Sequence, residues 1–206
     1  MLKFYRDSTQ AIALGNLQYW AVGLDGLYQH KGSVWEKVLS NQDLSVRGWV
    51  QAVSQAVRDR VWLGTSAGLL SYQPDTKQLS TVSGHLSNAD IRSVLAIVVD
   101  ESELLLVGTS QGLYMGDSAN WESVPDLENR TITTLALDSH GNVLWVGTDR
   151  GLFRLFVQDK SRKIDQFDVH NSGLAANRVI ALAVNTDESG ETKLWVGTPC
   201  GLSCYT

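Results

Sequence analysis

One nine-residue phrase recurs five times along this chain and restricts its folding more than any other feature. The segments YWAVGLDGL (19–27), VWLGTSAGL (61–69), LLVGTSQGL (105–113), LWVGTDRGL (144–152) and LWVGTPCGL (194–202) align without gaps. Their closing glycines, Gly26, Gly68, Gly112, Gly151 and Gly201, are spaced by 42, 44, 39 and 50 residues. A period of that length marks a unit that cannot bury its apolar face alone and must stack on its neighbours.

The text around each phrase is also shared. An apolar run precedes it, as in IRSVLAIVVD (91–100), TITTLALD (131–138) and RVIALAV (178–184), rich in residues that suit buried strands. A polar turn follows, such as SHGN (139–142), then the phrase, a short continuation, a loop, and a fourth apolar stretch such as WEKVLS (35–40), QLSTVS (78–83) or IDQFDV (164–169). Four short antiparallel strands in about 40 residues describe one blade of a β-propeller. The fold class expected is therefore all-β: a five-bladed β-propeller with four antiparallel strands per blade, forming a single domain over residues 1–206. The fifth unit ends after three strands, while LKFYRDS (2–8) reads as a fourth strand with no blade before it. Pairing the two closes the ring and leaves no open blade edge.

Within the phrase, the first glycine permits close approach to a neighbour. Thr65, Thr109, Thr148 and Thr198 can hydrogen-bond into the turn, and the last glycine supplies a positive φ. Trp20, Trp62, Trp145 and Trp195 form one column, with Leu106 in the third unit. Such regular recurrence inside a strand favours packing between blades over a carbohydrate-stacking role.

The unit NRVIALAVNTDESGETKLWVGTPCGL (177–202) resembles the two-component regulator propeller repeat, and TITTLALDSHGNVLWVGTDRGL (131–152) matches almost as well. The first unit departs from the pattern, with Val22-Gly23 where Gly-Thr is expected. The resemblance implies a binding platform of the kind found in sensor portions of hybrid histidine kinases, with similarity to five-bladed lectins and, more remotely, to propeller lyases. It does not carry over a kinase or response-regulator role, for which this sequence has no segment.

Binding on such a fold is expected where the last strand of one blade leads into the next, beside the signature turns. Those stretches are NQDLSVRG (41–48), GHLSNADIR (84–92), PDLENRT (125–131) and HNSGLAANR (170–178). They and the turns carry Arg47, Asn88, Arg92, Arg130, Arg150, Asn177 and Arg178 as the candidate ligand- or partner-binding residues. Arginines at successive entrances can grip a carboxylate or phosphate through paired donors. The alternative is that they pair locally with Asp43, Asp90, Glu128 or Asp149.

The remaining chemistry is sparse. His30, His85, His140 and His170 fall in separate loops with no nucleophile at a readable spacing, and only His85 and His170 lie in entrance loops, where a lyase would need them. Asp43, Asp90 and Glu128 are the carboxylates a glycosidase reading would use. Asp100, Glu101, Glu103, Asp138, Asp187, Glu188 and Glu191 sit in turns with no recognised calcium-ligand spacing. Cys200 and Cys204, about 13 Å apart along an extended strand, are too distant for a disulfide. A net charge of −5 argues against nucleic acid. The polar start and the lack of a long apolar window argue against export and membrane insertion, so a cytoplasmic location is expected.

Together these readings predict a non-enzymatic module without cofactor or metal. It binds a protein partner within a larger assembly and is a monomer outside it. A small-ligand sensor for an anion or saccharide is the alternative, and a propeller lyase or glycosidase comes third.

Overall fold

The computed structural model describes residues 11–14, 19–23, 25–45, 48–55, 60–158, 163–186 and 191–206. All the sheets are antiparallel meanders taken in chain order. Sheet 1 contains β1 (Ala11–Leu14), β2 (Tyr19–Gly23), β3 (Gly26–Lys31) and β4 (Val34–Ser40). Sheet 2 contains β5 (Val50–Gln55), β6 (Val61–Thr65), β7 (Gly68–Gln73) and β8 (Gln78–Thr81). Sheet 3 contains β9 (Ile91–Val99), β10 (Ser102–Thr109), β11 (Gly112–Gly116) and β12 (Trp121–Ser123). Sheet 4 contains β13 (Ile132–Leu137), β14 (Val143–Thr148), β15 (Gly151–Phe156) and β16 (Ile164–Phe167). Sheet 5 has three described strands, β17 (Ala181–Thr186), β18 (Thr192–Thr198) and β19 (Gly201–Tyr205). The strand expected from residues 2–8, and with it the closure of the ring, lies outside the described residues.

The chain divides into two compact units, one of residues 1–105 with 116–121, the other of 106–115 with 122–206. In the first unit, the leading strands of successive sheets run side by side, β1 by β5 and β5 by β9. Alternation along each strand explains the packing. On β7, Leu70 and Tyr72 point to one face, where they join Trp20, Val22, Leu27, Val61 and Leu63 in a dry cluster between sheets 1 and 2. The Trp20 ring meets Tyr72 edge-on at 6.2 Å. In the second unit, β13 lies beside β17, and Leu152, Leu174, Val179, Leu194 and Val196 form the equivalent cluster.

The tryptophan column behaves as expected at Trp20 and Trp62, which are fully buried, and at Trp145, which is half-buried against Phe167. Trp195 is 38% exposed. On β18 it points away from the cluster that holds Leu194 and Val196.

One stretch expected as loop is helical. Residues Asn41–Ser45 form α1, because Ser40 and Asp43 cap each other. The Asp43 carboxylate accepts from the Ser40 N–H at 2.8 Å and from the Ser40 hydroxyl at 2.6 Å. In return the Ser40 Oγ accepts from the Asp43 N–H at 3.3 Å. This is the reciprocal Ser-x-x-acid arrangement of a helix start, and buried Leu44 anchors the turn. The Ser40 hydroxyl, followed by the Ser40 backbone N–H, holds the Asp43 carboxyl below its ordinary pKa.

Candidate binding site

Four of the five signature turns are built by a threonine. The hydroxyls of Thr65, Thr109, Thr148 and Thr198 donate to the carbonyls of Gly68, Gly112, Gly151 and Gly201 at 2.8, 2.9, 2.8 and 3.0 Å. The same oxygens accept the N–H groups of Ala67, Gln111, Arg150 and Cys200 at 3.1, 3.0, 3.0 and 3.3 Å. The closing glycine is required by backbone shape as well as space. Gly68 has φ of +126°, and a Cβ there would lie 2.5 Å from the Ser87 carbonyl oxygen.

These rigid turns are tied to the segment that enters the same sheet. In the first unit, Ser66 N–H donates to the Trp49 carbonyl at 2.9 Å and its hydroxyl accepts from Trp49 N–H at 3.1 Å. In the second, Asp149 N–H donates to Thr131 O at 3.1 Å, and Thr131 N–H donates back to the Asp149 carboxylate at 3.2 Å. The next entrance is bolted on too, through Val179 N–H to Thr148 O at 2.9 Å. Signature turns and entrance segments thus share one edge within each unit.

The candidate residues separate into two kinds. Arg47 lies outside the described residues. In the first unit, Arg92 binds Asp90 through Nε at 3.1 Å and a terminal nitrogen at 2.8 Å, and Gln51 donates to the other Asp90 oxygen at 2.6 Å. Asn88 is exposed beside them. In the second unit, Arg130 is half-buried with its guanidinium 4.8 Å from the Phe153 ring centre, and donates weakly to Asp126 O at 3.4 Å. It does not pair with Glu128, which accepts from Ser123. Asn177 accepts the Val169 N–H at 2.9 Å and so fastens its own loop.

Arg150 and Arg178 are the most exposed of the described candidate arginines. The Arg150 side chain is 70% exposed, with Nε 3.7 Å from Asp149. Arg178 is exposed and has no hydrogen-bond or ion-pair partner among the described residues. The Thr148–Val179 backbone bond brings these two positions near each other in the second unit.

Other chemistry does not converge there. His85 belongs to the first unit and His170 to the second. His30 is lodged between Tyr19 and Trp35 at 5.7 and 5.0 Å. Among the described residues, no three His, Cys, Asp or Glu side chains are grouped to hold a metal ion. Both cysteines are free and exposed thiols. No described helix is long and apolar enough to cross a membrane.

Two features had no signal that sequence reading recognised. Arg154 bonds Asp165 at 3.0 and 2.6 Å, with Trp145, Phe156 and Phe167 each less than 6 Å from its guanidinium at 5.8, 5.7 and 5.7 Å. The residues are eleven apart, and only the β15–β16 register makes them neighbours. The second is a polar cleft on sheet 2, lined by Trp62, Ser71, Gln78 and Ser80 among others.

Comparison with known proteins places this architecture. The family described as two component regulator propeller matches residues 126–150. No curated protein matches the chain. The extracellular domain of the BT4673 one-component system from B. thetaiotaomicron is similar in structure, with a TM-score of 0.74 and 21% identity, over 99% of this chain and 28% of that one. The Niastella koreensis GH74 enzyme aligns with a TM-score of 0.66 and 12% identity over 91% of this chain and 33% of that one. YCF48 bound to D1 peptide aligns with a TM-score of 0.61 and 14% identity over 99% and 65%. A regulator domain, an enzyme and a peptide binder at such low identity share a fold and no more. The chain spans between about a quarter and a third of the first two. Residues 126–150 carry the two-component regulator propeller repeat, and the five sheets around them have the propeller-like fold of a bacterial regulator's extracellular domain.

Proposed function

We propose that this chain is a non-enzymatic recognition module that binds an acidic segment of a protein partner through the edge bearing Arg150 and Arg178. The observation that carries this reading is the contrast among the candidate arginines. Arg92 and Arg130 are engaged in holding loops, whereas Arg150 and Arg178 stand exposed on a turn fixed by Thr148, Thr131 and Val179. Exposed guanidinium forks carried on a hydrogen-bonded backbone match the geometry of a carboxylate ligand. Asn88 is exposed and Arg92 is paired with Asp90 in the first unit. YCF48 with its bound D1 peptide offers a precedent for peptide recognition on this fold. The cytoplasmic location expected from the sequence gains no support, since the BT4673 relative is an extracellular domain.

The test is affinity capture with the wild-type chain and an Arg150→Glu/Arg178→Glu variant, followed by direct titration of the retained protein. Charge reversal is expected to weaken binding at least about tenfold, the scale of a lost charge-assisted contact. Both positions are exposed, so the thermal midpoint should stay close to wild type. Equal affinity for the two proteins would sink the reading.

A further inference from the structure

The repeat provides its own internal control, because one position can be compared in all five sheets. The leucine that closes the signature phrase is sealed in four of them: Leu27, Leu69, Leu113 and Leu152 are at most 1% exposed. Leu202 is 66% exposed. The next row on the same face differs in the same way. In sheet 2 that row is Ser54, Trp62 and Ser71, and Trp62 is buried. In sheet 5 it is Ala183, Trp195 and Cys204, and all three are exposed. Since side chains alternate across a strand, Trp195, Leu202, Cys204, Ala181 and Ala183 share one face, small residues around one large aromatic.

What covers this face elsewhere is visible within each unit. In the first, Trp20, Val22 and Leu27 of sheet 1 lie against Val61, Leu63, Leu70 and Tyr72 of sheet 2, with the tryptophan edge-on to the tyrosine. In the second, Trp145 and Leu152 of sheet 4 lie against Leu194 and Val196 of sheet 5. The junction is therefore directional: the tryptophan face of one sheet is received by the other face of its neighbour.

A receiving face also stands open. The residues of sheet 1 at the register of Val61, Tyr72 and Leu79 are Tyr19, His30 and Trp35. Val61 and Tyr72 are buried, whereas Tyr19 is 45% and Trp35 is 37% exposed. The His30 ring stands edge-on to both neighbours, so the three rings form one aromatic cluster. Large apolar groups gathered on one exposed face mark an interaction surface.

We propose that the Trp195 face of sheet 5 docks on the Tyr19–His30–Trp35 face of sheet 1 in a second copy of this chain, which self-associates head to tail where its sequence predicted a monomer. The occupant follows from continuity with an interface the chain already builds, between sheets 1 and 2 and between sheets 4 and 5. A second copy brings the receiving pattern in the matching register. Trp195 takes the place of Trp20 in this junction, and His30 that of Tyr72. A heterologous contact of this kind leaves one face of each sort free, so it propagates until a ring closes. Arg150 and Arg178 lie outside both patterns.

Light scattering on the purified chain over a range of concentrations tests this. The wild-type mass is expected to rise above that of the monomer as concentration increases. Leu202→Arg spoils the docking face and Trp35→Glu the receiving one, and each should weaken self-association at least about tenfold. Both positions are exposed, so thermal midpoints should stay close to wild type. Mixed together, the two variants should form a one-to-one complex, because one retains an intact sheet 1 face and the other an intact sheet 5 face. Arg150→Glu/Arg178→Glu should self-associate like wild type, which separates failure of this proposal from failure of the acidic-partner reading. A wild-type chain that stays monomeric at every concentration would overturn the proposal, and that measurement needs no variant to fold. Undiminished association of Trp35→Glu, or a mixture of the two variants that remains monomeric, would overturn it as well.

Discussion

Asp165 shows how one carboxylate links packing to pH. The hydrogen-bonded Arg154 guanidinium is the main cause that holds it below its ordinary pKa. The group is ionised more readily folded than unfolded, so its contribution to stability is present above the unfolded pKa and disappears as pH falls through the folded one. Asp165→Asn should therefore lower the thermal midpoint at pH 7 and converge with wild type in the acid range below about pH 4. Part of that loss comes from leaving Arg154 without a carboxylate among three aromatic rings. Thermal scans of both proteins from neutral to acid pH check this; a gap that persists undiminished at the lowest pH would show that packing, not the ion pair, is responsible.

At the scale of the element, the signature turn is a threonine device whose importance varies with burial. Thr148 is fully buried and makes bonds of 2.8 and 3.0 Å, while Thr198 is 7% exposed with bonds of 3.0 and 3.3 Å. Thr148→Val keeps the shape but strands a carbonyl and an N–H, which should cost about 1–3 kcal/mol. Thr198→Val should cost less, and urea midpoints for the pair would show it. Equal costs would mean that the hydroxyl bonds do not set turn stability. This device was legible in the sequence, as were the strands, because each follows from a period of two or from an interval of three. The Ser40–Asp43 cap was also written in local spacing, though the surrounding apolar pattern hid it. Arg154–Asp165 and the Ser71–Ser80 cleft were not legible, since both depend on register between strands joined by a loop. Among the candidate arginines, sequence could not separate Arg150 and Arg178 from Arg130, whose partner Phe153 is 23 residues away.

Across the whole molecule, a net charge of −5 stands against an exposed arginine edge. On the proposed reading, an acidic partner would be repelled by the chain at long range and attracted by Arg150 and Arg178 at contact. The two effects have different reach: at about 0.15 M salt, charges separated by more than about 8 Å are largely screened, whereas groups in contact are screened much less. Raising salt from about 0.01 M to about 0.15 M should therefore speed association by removing the repulsion, the reverse of a steered encounter. Arg150→Glu/Arg178→Glu should act mainly by faster dissociation, because the lost contacts exist only in the complex. Stopped-flow or surface-binding kinetics over that salt range would separate the two. Association that slows steadily with salt would mean that the arginine edge dominates the long-range field, and the partner would then be guided in rather than tolerated.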